Sequence, residues 1–192
     1  MANWETYAKV HATRKPREQL VRAVEICPDR NSALDLGAGT LIESKYLLEA
    51  GFDQVTAVDS SPQSKEFAMC ITSAKFTLAN VPFQDFTLVP NTYDLINAQY
   101  ALPFYGKDGF AAFMKNCVVS LKREGIFVGQ LFGDRDQWNT PDAALAFQTK
   151  EEAQNMLSDL ELIEFVEEEK DGTTAVGTPK HWHVFHFIAQ KS

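Results

Sequence analysis

The sequence predicts an α/β protein built on one doubly wound, seven-stranded, mostly parallel sheet with an antiparallel C-terminal strand. Three observations carry this. Short apolar runs alternate with stretches of helical periodicity along most of the chain. The first run ends in a glycine turn, Leu34-Asp35-Leu36-Gly37-Ala38-Gly39-Thr40. The last two runs, Glu161 to Glu168 and His181 to Ala189, follow one another without a helix between them, which makes that end antiparallel.

Taken in order, Trp4 to Ile26 reads as two helical pieces split near Pro16. Leu20, Val21 and Val24 recur on one side, with Arg17, Glu18 and Arg22 on the wetter side. A strand over Ser32 to Leu36 leads to a helix capped by Thr40 and ended by Gly51. Val55 to Val58 is the second strand, and Ser60-Ser61-Pro62 starts the next helix with proline in its first turn. Lys75 to Ala79 and Tyr93 to Ala98 are the third and fourth strands. Phe110, Phe113, Met114, Val118 and Leu121 mark a helix over Lys107 to Leu121. Lys122 to Gly125 is a turn into a buried fifth strand, Ile126 to Phe132, and Gly133 to Pro141 is a polar loop. A helix over Thr149 to Leu160 precedes the two final strands.

With 192 residues, 45% hydrophobic and 23% charged, the chain fits one α/β domain, 1–192, with residues 1–30 as a helical lid and 31–192 as the core. The net charge of −8 argues against nucleic acid as a partner. Glu161, Glu164, Glu167, Glu168, Glu169 and Asp171 crowd one segment and read as a solvated face, not a metal site. Cys27, Cys70 and Cys117 form neither a disulfide framework nor a zinc motif, which points to a reducing, cytoplasmic compartment. No signal peptide pattern and no membrane-length apolar run is present.

The glycine turn is where the chemistry starts. Glycines at a strand-to-helix turn let a ligand approach the main chain, and Asp59, twenty positions after Gly39, ends the second apolar run. That pairing suits a nucleoside, its ribose hydroxyls bonded by the carboxylate. A nicotinamide dinucleotide fingerprint would place a third glycine where Ile42 stands. Asp35, just before the turn, would repel a pyrophosphate but suits an ammonium or sulfonium group. A nicotinamide-dependent oxidoreductase and a non-catalytic cofactor-binding module are the alternative readings.

Leu34 to Thr40 resembles the first motif of class I S-adenosylmethionine-dependent methyltransferases, and Val58-Asp59-Ser60-Ser61 their second. Phe83-Gln84-Asp85-Phe86 lies at the family's adenine loop, and Tyr93 to Ala98 resembles its fourth-strand motif. Leu121 to Phe127 resembles the turn into strand five, and the likeness runs from about Asn31 to Lys191. Two positions where the family commonly has glycine hold Leu41 and Glu124; the first would narrow the room near the methionine end. The resemblance implies a Rossmann-like methyltransferase fold, S-adenosylmethionine as cofactor and S-adenosylhomocysteine as product. It places Gly37, Ala38 and Gly39 under the cofactor, Asp35 toward its amino group, Asp59 on the ribose and Ser60 beside the adenine. Gln84 and Asp85 would meet the adenine edge, while Ala98 and Gln99 would flank the sulfonium.

Methyl transfer from a sulfonium is an in-line displacement that needs orientation above all, and a base only if the acceptor must lose a proton. Trp4, Tyr7, His11 and Arg14 share one helical face and read as a lid, Tyr7 and Arg14 touching the cofactor and Arg14 pairing with its carboxylate. Tyr100, Phe104 and Tyr105, then Phe132, Arg135 and Trp138, are candidates for the acceptor pocket. His181 and His183 lie on one side of the last strand and, with Tyr100, are the candidate catalytic residues; His186 faces the other way. No metal site is expected. With little chain beyond the core and an acidic surface, a small-molecule acceptor is the expected partner.

Overall fold

The computed structural model describes residues 14–192. Its sheet has the order β3-β2-β1-β4-β5-β8-β7, with β1 Ser32–Leu36, β2 Gln54–Val58, β3 Phe76–Ala79, β4 Tyr93–Ala98, β5 Leu121–Gly133, β7 Glu161–Thr173 and β8 Pro179–Gln190. The first five are parallel, and β8 runs antiparallel to both β5 and β7. An eighth strand, β6 Phe147–Gln148, pairs only with the end of β5.

Helices cover both faces because the strands carry apolar side chains on both. On one face α1 (Glu18–Ile26) sets Leu20, Ala23 and Val24 against Leu95, Ile126, Val128 and Ile188, and α2 (Ile42–Glu49) adds Leu47. On the other, α4 (Phe110–Ser120) and α5 (Lys150–Met156) pack Phe113, Met114, Cys117 and Ala153 on Ile96, Phe127, Phe185 and Phe187. α3 (Pro62–Ala68) sends Phe67 and Ala68 against Ala38, Leu41 and Ala57. The described part of the N-terminal segment is therefore a sheet-packed helix.

Several boundaries differ from the sequence reading. Thr40 does not cap α2; Leu41 occupies that place with a left-handed backbone (φ 60°) and a fully buried side chain. Gly51 (φ 95°) does end the helix turn. Glu124 is likewise left-handed (φ 62°), inside a bulged β4–β5 pairing where Tyr93 meets Leu121 but Leu95 meets Ile126. Both non-glycine residues keep the backbone that glycine would favour. α5 starts on a capping box, the Thr149 hydroxyl accepting from Glu152 N–H and the Glu152 carboxylate from Thr149 N–H.

The terminal hairpin extends five residues further on β7 than periodicity predicts, to Thr173. Cross-strand charge explains this: Glu169 and Asp171 stand opposite His183 and His181. The acidic segment is thus an ion-paired face. Arg135 bonds Glu167 at 2.8 Å and Glu169 at 2.9 Å, Lys150 reaches Glu167, and Arg22 holds Glu164. Those partners hold the carboxyls of Glu167 and Glu169 down at about 2, Arg135 contributing most.

Candidate functional site: a cleft at the switch point

Sheet order reverses between β1 and β4, and the cleft opens at the carboxyl ends of those strands, where open α/β sheets bind ligands. Its volume is about 1360 Å³, larger than the roughly 300–1,000 Å³ of a single small-molecule site. Gly37, Gly39, Asp59 and Ser60 line one end, Tyr100, Phe132, Trp138 and Trp182 the other, and Gln84 and Gln99 are also in its wall.

The first end is held rigidly. Gly37 and Ala38 N–H groups donate to Val58 O at 2.8 and 3.2 Å, tying the turn to the end of β2. Gly37 is left-handed (φ 69°), and a Cβ there would collide with the Ala101 methyl, so no other residue fits. Gly39 N–H donates to Asp59 Oδ2 at 2.9 Å. Asp59 Oδ1 accepts from Ser61 N, Ser61 Oγ and Ser64 Oγ at 2.6–2.8 Å, which fastens the carboxylate to the start of α3. Oδ2 carries one protein donor and retains capacity for another, as a ribose hydroxyl requires.

Other expected cofactor residues are placed differently. Asp35 is buried beneath the turn, off the cleft wall, accepting from Ser44 Oγ at 2.5 Å and Asn97 Nδ2 at 2.8 Å. Burial, with Glu43 adding repulsion, raises its carboxyl to about 7. Arg14 forms a bidentate pair with Glu43 at 2.5 and 2.6 Å. Ala38 and Ala98 are buried, and Asp85 is an exposed residue on a short helical turn, Phe83–Asp85; none of the three lines the cleft. Gln84 lines it and donates to Tyr105 O at 2.7 Å. Leu41 packs in the core with Ala38 and Ala57, so it does not narrow the cleft. Trp4, Tyr7 and His11 lie outside the described residues.

At the other end Tyr100 takes a left-handed backbone (φ 55°), and its N–H donates to Gln130 Oε1 at 2.7 Å. Its ring meets Phe132, Trp182 and His186 at centroid distances of 6.1–6.5 Å. Burial raises the Tyr100 phenol above its usual value and lowers His186 below its own. His181 and His183 are not in this wall. Side chains alternate along β8, so Trp182, Val184 and His186 share the cleft face while His181 and His183 occupy the opposite one. There His183 is fully buried against Glu167, and His181 bonds Asp171 and Glu169, which raises its pKa.

Sequence reasoning missed a chain of amides behind the cleft. Gln130 Nε2 donates to Gln19 Oε1 at 2.5 Å and Gln99 Oε1 at 3.0 Å. Gln99 Nε2 donates to Asn97 Oδ1 at 2.9 Å, and Asn97 Nδ2 to Asp35. The available signal was Gln130 itself, a polar residue within the apolar run Ile126 to Phe132. Arg17, read as solvent-facing, turns into the cleft and lies over the Tyr100 ring, 4.5 Å from its centroid.

This strand order, with a glycine turn and a strand-end carboxylate at the switch point, defines a Rossmann-like methyltransferase fold. Solved structures share it. TehB from Haemophilus influenzae is 20% identical over 97% of this chain, with a TM-score of 0.77, and the match spans 66% of TehB, just under two thirds of that chain. The N-methyltransferase NodS from Bradyrhizobium japonicum WM9, in complex with S-adenosylhomocysteine, is 18% identical over 99% of both chains, with a TM-score of 0.68. A SAM-dependent methyltransferase from Methanosarcina mazei is 17% identical over 93% of this chain and 99% of its own, with a TM-score of 0.65. At these identities the likeness concerns the fold. A search of the curated proteins finds no match. A family model described as AdoMet dependent proline di-methyltransferase matches residues 9–173, and the chain belongs to that family of S-adenosylmethionine-dependent methyltransferases.

Proposed function

We propose that this chain transfers the methyl group of S-adenosylmethionine to a nitrogen of a small-molecule acceptor, releasing S-adenosylhomocysteine. The observation that carries the reading is the Asp59 carboxylate, fixed by α3 on one oxygen and joined to Gly39 on the other, at the cleft end. Gly37, Gly39 and Ser60 would lie along the nucleoside, with Gln84 at the adenine and Gln99 near the sulfonium. Tyr100, Phe132 and Trp182 would exclude water around the methyl group, and orientation supplies most of the catalysis. The family description and the name of NodS support nitrogen as the atom methylated. A neutral amine attacks the sulfonium methyl with its lone pair and afterwards loses a proton to water.

The chain works as one domain, residues 1–192, in the cytoplasm and without nucleic acid. Its net charge of −8 and its three free cysteines support this. Among the described residues no helix is long and apolar enough to cross a membrane, and no group of residues could hold a metal. Calorimetry with S-adenosylmethionine, S-adenosylhomocysteine and NAD tests the reading. Both adenosyl compounds bind and NAD does not; binding of NAD alone would refute it. Asp59→Ala weakens S-adenosylhomocysteine by about 1–3 kcal/mol, the range for a charge-assisted hydrogen bond. Unchanged affinity in the folded variant removes Asp59 from the site.

A further inference from the structure

Arg17 stands at the N-terminus of α1, where a cation opposes the partial positive charge of the helix end. Its Nε is buried without a hydrogen-bond partner, and its guanidinium meets no carboxylate among the described residues. The other charges of the cleft are matched. Asp59 has its four donors, and Glu168 and Lys170 pair at 2.8 Å. Stacked on Tyr100, the guanidinium keeps its edge free for a planar two-oxygen partner.

The neighbouring amides are oriented to the same end. Tyr100 N–H can only donate, so Gln130 must present its oxygen there and its nitrogen to Gln99. Gln99 therefore gives its oxygen to Gln130 and one N–H to Asn97, leaving its second N–H uncommitted in the cleft wall. A half-buried cation and an oriented N–H make a corner for an anion.

Its position says whose anion. Asp59 ends β2 and the glycine turn follows β1, whereas the Tyr100 ring under Arg17 packs toward Phe132 of β5 and Trp182 of β8. That is the side away from the ribose end. We propose that Arg17, with the Gln99 amide, receives a carboxylate carried by the methyl acceptor, held against Tyr100. The inference rests on reading the cleft as the site of methyl transfer. It makes the acceptor an anionic small molecule, such as an amine that also bears an acid.

The test titrates benzoate and benzamide, matched in shape and different in charge, into the full chain saturated with S-adenosylhomocysteine, reading tryptophan fluorescence. Benzoate binds at least about tenfold more tightly than benzamide, Arg17→Gln abolishes the preference, and Arg17→Lys restores part of it. Equal binding of the two probes, no binding of benzoate, or a preference that survives Arg17→Gln overturns the proposal. The affinity of Arg17→Gln for S-adenosylhomocysteine stays within about twofold of the native value, which also reports that the variant is folded. If it falls about tenfold while 5′-methylthioadenosine, which lacks the amino-acid tail, binds as before, Arg17 holds the cofactor's own carboxylate and the proposal fails. If the native chain binds no S-adenosylhomocysteine, the methyl-transfer reading fails, and the same benzoate titration of the unloaded protein still decides whether the anion corner exists.

Discussion

Replacing Asp35 by asparagine removes a carboxylate that the fold holds against its ordinary chemistry. The side chain is 1% exposed, and its carboxyl is raised from 3.8 to about 7, mainly by burial and then by Glu43. Between those values the folded chain keeps the Asp35 proton while the unfolded chain has lost it. The raised carboxyl therefore contributes stability that is fully present below about pH 4 and lost as pH rises to about 7. At about 1.4 kcal/mol per pH unit the whole change is about 4 kcal/mol. Asparagine fits the site: its oxygen can accept from Asn97, and its amide can donate to Ser44, whose hydroxyl reverses role. Urea unfolding of both proteins from pH 4 to pH 8 gives the difference in stability, in which the titration of groups not coupled to Asp35 cancels. Native stability relative to Asp35→Asn falls by up to about 4 kcal/mol across that range and is flat above it. A difference that stays constant from pH 4 to pH 8 would refute the reasoning.

Three further outcomes follow from the same geometry. Leu41→Ala costs about 2–5 kcal/mol in urea unfolding, because the side chain is fully buried, yet leaves S-adenosylhomocysteine affinity unchanged, because it lies off the cleft. Glu124→Gly raises stability by about 1 kcal/mol in the same assay, since the residue is exposed and left-handed. His181→Ala changes neither S-adenosylhomocysteine affinity nor the benzoate titration; a loss of either would bring that side chain back to the cleft.

How much could be read from the sequence depended on what each segment's partners are. β1 and β4 have the expected limits because both are apolar strands buried in the middle of the sheet. The glycine turn and Asp59 beside it were legible as local structure, because a left-handed turn with no room for a Cβ demands glycine and the strand-end carboxylate follows at fixed spacing. The far half of the hairpin was not, since its strand pairing is held by cross-strand charges and not by alternating hydrophobicity. Alternation put His181 and His183 together but did not say on which face, and that face follows from how β8 pairs with β5: Phe185 and Phe187 turn to the helices α4 and α5, and the two histidines go with them. The amide chain joins Gln19, Asn97, Gln99 and Gln130 across more than a hundred residues, a relation without sequence period.

Where local rules are broken, the compensation separates architecture from site. Leu41 bears a left-handed backbone that costs about 1–2 kcal/mol, and burying its side chain returns about 1.5–3 kcal/mol. Tyr100 bears the same backbone, offset by the bond to Gln130 and by its ring contacts with Phe132, Trp182 and His186. Arg17 breaks the charge rule of its helix end, and among the described residues its buried Nε has no partner and its guanidinium lies against the Tyr100 ring. A cation–π contact of about 0.5–2 kcal/mol stands against the roughly 1–3 kcal/mol that a buried, unsatisfied donor costs. Among the described residues nothing further compensates that position, and Arg17 lines the cleft, where the anion proposed above would meet it.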